Sequence, residues 1–467
     1  MQKVRLVDVK YFLSKSKMIS LVIALCSSCL VVTSIIMLIV FFGYRSDTGV
    51  TRTKILSAIN SNSSLFPADW SKNIITGVDT FSDCLTLEIA THIPDDYPSA
   101  LSSALYEAGS EFHSCVGVIG RLNRFQSTSV ISDYWRYWWG SASLLKIVLN
   151  VDDITLSGYQ VTLKYGTYIA LVLISALSLL IFKSNGLLVT PITFAMAFGY
   201  GIPIFGQSIA HAPGLLVGLV LIILYIGLHP LRIREYYRSA FAFTIGGLAF
   251  YFDLLNGNLI ALLILFCIVN LASLRSERSN LSWSITTSTL MILLSYVAGA
   301  TYVLLLRCIF RALLMGQGVG TVIPEWFDAL TIRTRNSVPD YDSFNFGPTY
   351  ILKRIYYKLE YAFVPYLDHT GAVVAYFIGI ALFLICIGWI IMSLIRGLYL
   401  HKDAICSLLV ISVIVPAWFF TFANHTAVHS WMTGRLSTLF LACGMTLAVL
   451  LASAASTRGE PSRAATQ

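Results

Sequence analysis

Long apolar stretches with at most one charged residue each recur along this chain, and no other feature restricts its fold as strongly. A helix satisfies its backbone hydrogen bonds within one segment, as hydrocarbon requires. The sequence therefore predicts an all-α polytopic membrane protein with about ten transmembrane helices. The apolar stretches are residues 18–42, 161–182, 187–204, 214–228, 240–252, 259–272, 283–306, 372–395, 404–422 and 436–452.

The composition excludes an ordinary soluble protein, because 56% of the residues are hydrophobic and only 12% are charged. The formal net charge is +8. The basic residues cluster in short gaps between apolar stretches, as in cytoplasmic anchors of membrane helices, so no nucleic-acid partner is expected.

The placement of these basic residues predicts the topology. A basic stub precedes the first stretch, which is too long for a signal peptide and lacks a cleavage site, so we expect an uncleaved anchor with a cytoplasmic amino terminus. Counting from there, the cytoplasmic gaps should be the basic ones. They carry Lys183, Arg232, Arg234, Arg238, Arg275, Arg278, Arg396 and Lys402, and the cytoplasmic carboxyl-terminal tail carries Arg458 and Arg463.

Two polar segments are too long to be connectors, and both fall on the predicted outer, periplasmic side. We expect amphipathic helices in them. The predicted organisation is a stub with the first helix (1–44), a first outer loop domain (45–160), helices 2 to 7 (161–306), a second outer loop (307–371), helices 8 to 10 (372–453) and a tail (454–467).

The first outer loop contains the candidate catalytic acids Asp79 and Asp83. If residues 77–91 are helical, these acids form one stripe and apolar residues the opposite one, so we expect exposed carboxylates on a helix that lies on the membrane or the bundle. A carboxylate at the boundary between lipid and water can act as a general base. Solvated surface acids are the alternative.

The same loop holds two cysteines, Cys84 and Cys115, and a dense aromatic run. The cysteines could close a disulfide loop of roughly 30 residues in an oxidising compartment, or stay as buried thiols. The run includes Tyr134, Trp135 and Trp138 around Arg136. Two interpretations remain open, an interfacial aromatic belt and a pocket that stacks on sugar and holds a lipid phosphate.

Basic and histidine residues elsewhere on the outer side are further candidates. Lys353 and Arg354 belong to a basic, aromatic segment that suits anionic lipid or a phosphate-linked lipid substrate, although a simple anchor has the same pattern. His425, His429 and Arg435 precede the last stretch. We expect contact with an acceptor or phosphate, or helix-end packing; no metal is expected, because a third ligand is missing.

Other signals are absent from the sequence. No charged residue lies near the middle of a predicted span, which argues against an ion-driven transporter. No nucleotide-binding, dinucleotide-binding or serine-hydrolase motif occurs, so no cofactor is expected.

An amino-terminal helix, a large outer loop with early acids and a many-helix bundle resemble the GT-C class of membrane glycosyltransferases, and among them the bacterial glucosyltransferases that modify O-antigen. The residues that carry the resemblance are Asp79 and Asp83. The resemblance implies transfer of a sugar, glucose in those enzymes, from a polyprenyl-phosphate donor to lipopolysaccharide or another glycan at the periplasmic face of the bacterial inner membrane. Asp79 or Asp83 would then be the base, and Arg136, Arg435 or Lys353 would steady the phosphate. The chain departs from the class in lacking adjacent acids directly after the first helix.

Three other functions stay open at this point. One is an O-antigen polymerase or ligase, which would use the same face and a similar lipid. A flippase or exporter of lipid-linked glycans is disfavoured by the uncharged spans. A membrane scaffold that binds a partner through its outer loops is compatible with every feature above.

Overall fold

The chain folds into a helical bundle whose longest helices are apolar. The computed structural model describes residues 15–61, 80–108, 130–135, 139–200, 206, 208–229, 235–252, 257–277, 284–334, 402–422 and 435–456. Within these ranges, five helices are long and apolar enough to cross a membrane. They are Met18–Arg45, Leu156–Leu188, Asn258–Ser276, Ile285–Leu314 and Asp403–Thr421. These five overlap predicted spans and confirm that those stretches are helical; the predicted span 372–395 lies outside the described residues.

In the described ranges, the chain consists of helices and one pair of short strands, which lies in its first half. The first half contains α1 (Lys15–Arg45), α2 (Thr48–Ser61), α3 (Thr80–Thr91), α4 (Tyr97–Ser102), β1 (Leu105–Ala108), β2 (Val130–Asp133), α5 (Gly140–Leu149), α6 (Leu156–Phe182) and α7 (Thr190–Phe194). The second half contains α8 (Ala212–Leu228), α9 (Glu235–Phe252), α10 (Asn258–Ser276), α11 (Ile285–Leu314), α12 (Val319–Thr334), α13 (Lys402–Thr421) and α14 (Leu436–Ser456).

The stretch predicted as one span at 187–204 is interrupted over its described part. Helix α6 ends where Lys183 takes a φ of 54°, which a side-chain-bearing residue seldom adopts. A 3₁₀ turn (Lys183–Leu188), the short α7 with Pro191 in its first turn, and a π turn (Ala195–Gly199) follow. The expectation of a continuous α-helix here was therefore wrong, because apolar composition does not reveal backbone interruptions.

Helix α10 occupies the centre of the bundle. Every residue from Asn258 to Leu274 is buried, which explains why this helix is apolar on all sides rather than on one stripe. Helix α1, by contrast, lies at the periphery and leaves side chains such as Leu30 exposed. The most hydrophobic surface therefore faces outward along the long helices, as expected for a protein surrounded by lipid.

Helices α9 and α11 approach each other closely through glycines. A Cβ added at Gly246 would lie 2.2 Å from the carbonyl oxygen of Tyr296, and one at Gly299 would lie 2.0 Å from that of Phe243. Small residues let helix backbones meet in this way inside membranes. This contact fixes the position of α11, which carries two residues important for the next part of the fold.

Part of the first polar segment packs onto the end of the bundle; we call α3, α4, β1, β2 and α5 the 80–149 unit. Its strands pair antiparallel, with Leu105 opposite Asp133, so the fully helical expectation omitted this short sheet. Helix α11 continues past residue 306 to Leu314. In its last turns Arg307 and Arg311 reach into the unit.

The two arginines hold the unit through its backbone. Arg307 Nε donates to the carbonyl of Trp135 at 2.9 Å, and its Nη1 donates to the carbonyl of Leu101. Arg311 pairs with the carboxylate of Asp133, whose other oxygen accepts from the amide of Ala104 at 2.7 Å. The unit is thus anchored to a predicted membrane helix by charge-assisted hydrogen bonds.

Candidate functional site

Helix α3 carries the predicted catalytic acid Asp83, but its carboxylates are not exposed. All residues from 82 to 90 are buried, with Asp83 3% and Glu88 1% exposed. The apolar residues Leu85, Leu87 and Ile89 belong to a buried cluster shared with α2, α5 and the start of α6. The expected exposure was wrong for Asp83, because neighbouring elements cover α3 on both faces; Asp79 lies outside the described residues.

The buried carboxylate of Asp83 is held by donors from the segment before α8. Ser208 Oγ donates to Asp83 Oδ1 at 2.6 Å, and the amide of Ala210 donates to the same oxygen at 3.0 Å. The amide of His211 in turn donates to Ser208 Oγ at 3.3 Å. A buried charge is tolerated when hydrogen bonds replace its lost hydration. Asp83 therefore joins the 80–149 unit to the bundle.

A second set of polar residues continues from this point into the bundle. Asn258 Nδ2 donates to the carbonyl of His211 at 2.9 Å, and Tyr200 Oη donates to Asn258 Oδ1 at 2.9 Å. Gly257 precedes α10 with a φ of 106°, a conformation suited to glycine. A Cβ at Gly257 would lie 3.2 Å from Tyr200 Oη and 3.4 Å from the side chain of Leu436, so α14 begins beside this set.

The predicted phosphate-binding residue Arg435 immediately precedes α14 and is fully buried. We name Asp83, Ser208, His211, Asn258, Tyr200 and Arg435 the polar centre. Its members come from the first polar segment, from two short gaps, from the start of the last helix and, for Tyr200, from the predicted span 187–204. The sequence predicted the polar segment, the two gaps and the start of the last helix to lie on the outer side, and in the fold these stretches converge at one end of the bundle.

The aromatic residues Tyr134 and Trp135 pack inside the protein. Trp135 is 6% exposed and lies against Cys308, Ala312 and Val322, with the Arg311 guanidinium 5.4 Å from its ring centroid. The ring centroids of Tyr134 and Trp139 lie 5.8 Å apart in an edge-to-face arrangement. Both residues therefore join the 80–149 unit to its neighbours, rather than forming a lipid-facing belt or an open stacking surface.

Several predicted site residues lie outside the described residues. They are Asp79, Cys115, Arg136, Trp138, Lys353, Arg354, His425 and His429. Cys84 is buried and disulfide-bonded. The pairing of Cys84 with Cys115 stays a prediction.

A buried lysine near the polar centre had not been singled out from the sequence. Lys146 on α5 is 1% exposed. Burial lowers the pKa of its ammonium, and the nearby carboxylates of Asp95 and Asp47 oppose that shift. Nothing in the local sequence distinguishes it from an exposed lysine, because its burial results from the packing of α5 against α1.

A large apolar cavity lies on another side of the same end of the bundle. It measures about 450 Å³ and is bounded by α10, α11, α12 and α13. Leu259 lines the cavity, and its neighbour Asn258 belongs to the polar centre. The cavity and the polar centre are therefore adjacent at the start of α10.

Arg307, Arg311 and Asn258 were not singled out from the sequence, and neither were Lys146, Ser208 and Tyr200. Two arginines four residues apart at the end of an apolar helix share one face, and that spacing was the available signal for an anchored partner. Asn258 had no comparable signal.

A comparison of this chain with known protein families, curated proteins and solved structures finds no match.

Proposed function

We propose that this protein is a membrane glycosyltransferase that moves a sugar from a polyprenyl-phosphate donor to lipopolysaccharide or another cell-surface glycan. In this proposal the reaction takes place at the periplasmic face of the bacterial inner membrane. The sugar is glucose in the enzymes that the sequence resembles. Neither a nucleotide nor a metal is part of the proposed chemistry.

The observation that supports the proposal best is that the chain segments carrying Asp83, His211 and Arg435 converge at one end of the bundle. Asp83, His211 and Arg435 come from stretches far apart in sequence, and hydrogen bonds of 2.6 to 3.3 Å connect Asp83 to the His211 segment. Transfer from a lipid phosphate needs a base near the acceptor and positive charge near the phosphate that leaves. In the proposal, Arg435 of the polar centre supplies the positive charge, and the base comes from Asp79, four residues before Asp83 in the sequence.

In this proposal the two predicted acids have different roles. Asp83 has one oxygen engaged by two donors and is 3% exposed, so we assign it a positioning role. The role of general base then falls in the proposal to Asp79, which precedes α3. Its carboxylate would take the proton of the acceptor hydroxyl as that oxygen attacks the anomeric carbon.

Arg435 has an electrostatic role in this scheme. The bond between the anomeric carbon and the phosphate oxygen breaks, and the departing polyprenyl phosphate gains negative charge. A guanidinium in a water-poor interior interacts with such charge more strongly than one in bulk water. We therefore propose that Arg435 stabilises the leaving phosphate.

The test uses the full chain, purified in detergent and supplied with polyprenyl phosphate carrying labelled glucose and with lipopolysaccharide. We expect label to appear in lipopolysaccharide and free polyprenyl phosphate to be released. Asp79→Asn should reduce turnover by about a hundredfold or more, the range of a lost general base, with an unchanged melting temperature.

Two further variants separate chemistry from folding. Asp83→Asn keeps an oxygen that can accept both hydrogen bonds, whereas Asp83→Leu removes that acceptor and should lower the melting temperature and the turnover together. Asp328→Asn changes an exposed acid on α12 and is the matched control, with no expected effect. Folded wild-type protein that transfers no sugar, or full activity in Asp79→Asn, would contradict the proposal.

A further inference from the structure

Another large cavity is a groove on the side of the bundle between α1, α8 and α9. Its volume is about 520 Å³. Ile23, Val31 and Leu224 line it while remaining 59%, 49% and 50% exposed, so the groove opens sideways along its length. These side chains are apolar and α1 is long enough to cross a membrane, so we expect the opening to face lipid.

The groove runs from the start of α1 toward the middle of that helix. Its α1 wall extends from Ser20, five residues after the helix begins, to Val31. Those eleven residues rise about 16 Å, close to half of the ~30 Å hydrocarbon core of a bilayer. Its α9 wall likewise extends from Tyr236, in the first turn, to Thr244. The groove therefore has the length of one acyl chain in one leaflet.

The polar side chains of the groove differ between its deep and its shallow end. In the deep part, Ser28 Oγ and Thr244 Oγ1 both donate to the carbonyl of Ala240, at 3.2 and 2.9 Å. At the shallow end, Tyr237 lies in the first turn of α9 and is 48% exposed, so a molecule in the groove can reach its side chain. None of the described residues that line the groove is acidic. The deep part thus offers an apolar surface and the shallow end a hydroxyl donor.

Basic residues adjoin the shallow end of the groove in sequence. Helix α1 begins with two lysines in its first turn, and the second, Lys17, stands three residues, about one turn, before Ser20. Arg232 and Arg234 lie outside the described residues and come just before α9, against one acid, Glu235. Clusters of lysine and arginine at a membrane boundary attract anionic lipid headgroups. The charge at this end therefore favours a negatively charged lipid over a zwitterionic one.

We propose that this groove binds an anionic phospholipid of the leaflet nearest the start of α1, with one acyl chain in the groove and the phosphate at its shallow end. The apolar walls hold the chain, the Tyr237 hydroxyl donates a hydrogen bond to the headgroup, and the lysines that begin α1 favour its negative charge. The inference does not depend on the proposed transferase chemistry, because the sequence predicts this end of α1 to be cytoplasmic and the polar centre to be on the outer side.

The test compares two phospholipids that have the same acyl chains and differ in headgroup charge. The full chain is stripped of lipid in detergent, and binding of phosphatidylglycerol and of phosphatidylethanolamine is measured by native mass spectrometry. We expect phosphatidylglycerol to bind about five- to thirtyfold more tightly, as one or two lysines near an anionic headgroup imply.

Two pairs of variants locate the bound lipid. Ser27 lines the groove and its hydroxyl bonds only within α1, to the carbonyl of Ile23 at 2.9 Å, so Ser27→Trp should fill the groove and reduce phosphatidylglycerol binding about tenfold or more. Leu30→Trp changes a 71% exposed residue of α1 outside the groove and should bind as the wild type does. Lys17→Gln should lower the preference for phosphatidylglycerol about fivefold, whereas Lys164→Gln on α6 should preserve it.

Three results would overturn the proposal. They are equal affinity of the wild type for the two phospholipids, undiminished phosphatidylglycerol binding in folded Ser27→Trp, and displacement of phosphatidylglycerol by equimolar polyprenyl phosphate. If Ser27→Trp does not fold, the headgroup preference of the wild type and its loss in Lys17→Gln still decide.

Discussion

Replacing Gly299 by alanine tests the close packing of α9 against α11. The new Cβ would lie 2.0 Å from the carbonyl oxygen and 2.8 Å from the carbonyl carbon of Phe243, whereas ordinary contacts begin near 3.4 Å. Both neighbours are backbone atoms and cannot rotate aside. The two helices must therefore separate by more than an ångström, and we expect a loss of about 1–3 kcal/mol in the free energy of unfolding.

A second substitution at the same interface sharpens the prediction. Gly246→Ala would bring a Cβ to 2.2 Å from the carbonyl oxygen of Tyr296 and demands the same separation of the helices. Once the helices have moved for one methyl group, the other is accommodated at lower cost. The double variant should be destabilised by less than the sum of the single variants, by at least about 0.5 kcal/mol.

The matched control is Gly227→Ala in α8, where no atom lies within 4 Å of the added Cβ. Alanine is a better helix former than glycine, so this variant should gain roughly 0.5–1 kcal/mol. The assay is unfolding of the purified protein by SDS in mixed micelles, followed by circular dichroism. A Gly299→Ala protein as stable as the wild type, or strictly additive effects, would refute the close approach of these backbones.

Two other predictions concern charged groups around the 80–149 unit. Asp133→Asn leaves the nearly buried Arg311 without its carboxylate partner and should lower the free energy of unfolding by about 1–3 kcal/mol. The loss should appear as faster hydrogen exchange of the backbone amides at residues 101–108. Unchanged exchange there would contradict the prediction. Because burial lowers the Lys146 pKa below 10.5, the unfolded chain binds more protons just below that pH, so wild-type stability should rise with pH in this window. Lys146→Met should abolish that rise and increase the melting temperature near neutral pH; a melting temperature that tracks the wild type at every pH would count against it.

The long helices could be predicted from sequence because their signal is local. An apolar stretch such as 259–272 is excluded from water whatever packs beside it, so a helix could be predicted there from the stretch alone. The helix Asn258–Ser276 confirms that prediction. The helix within 77–91 was also predictable, since the regular spacing of its acidic and apolar residues is visible in that one segment. The described part of 187–204 was misinterpreted, because the changes from 3₁₀ to α to π geometry around Pro191 depend on packing rather than on hydropathy.

The candidate site was less predictable, since its residues meet only in the folded chain. Asp83 was identified as important, but its environment depends on Ser208 and Ala210, which lie over 120 residues away and carry no motif. Trp135 was expected at a membrane or ligand surface, yet Arg311 and the end of α11 cover it. Amphipathic patterns predict which face is apolar; they do not predict how many faces the neighbours will cover.

The contacts of the 80–149 unit join it to the bundle at two places. At one side Arg307 and Arg311 bind its backbone and Asp133; at the other, Asp83 accepts hydrogen bonds from the segment that leads into α8. Undocking would break the Arg311–Asp133 ion pair and these hydrogen bonds in addition to separating apolar surfaces. On the side of the bundle, the apolar cavity begins at Leu259, the neighbour of Asn258, so a lipid-linked substrate bound in that cavity would lie beside the polar centre.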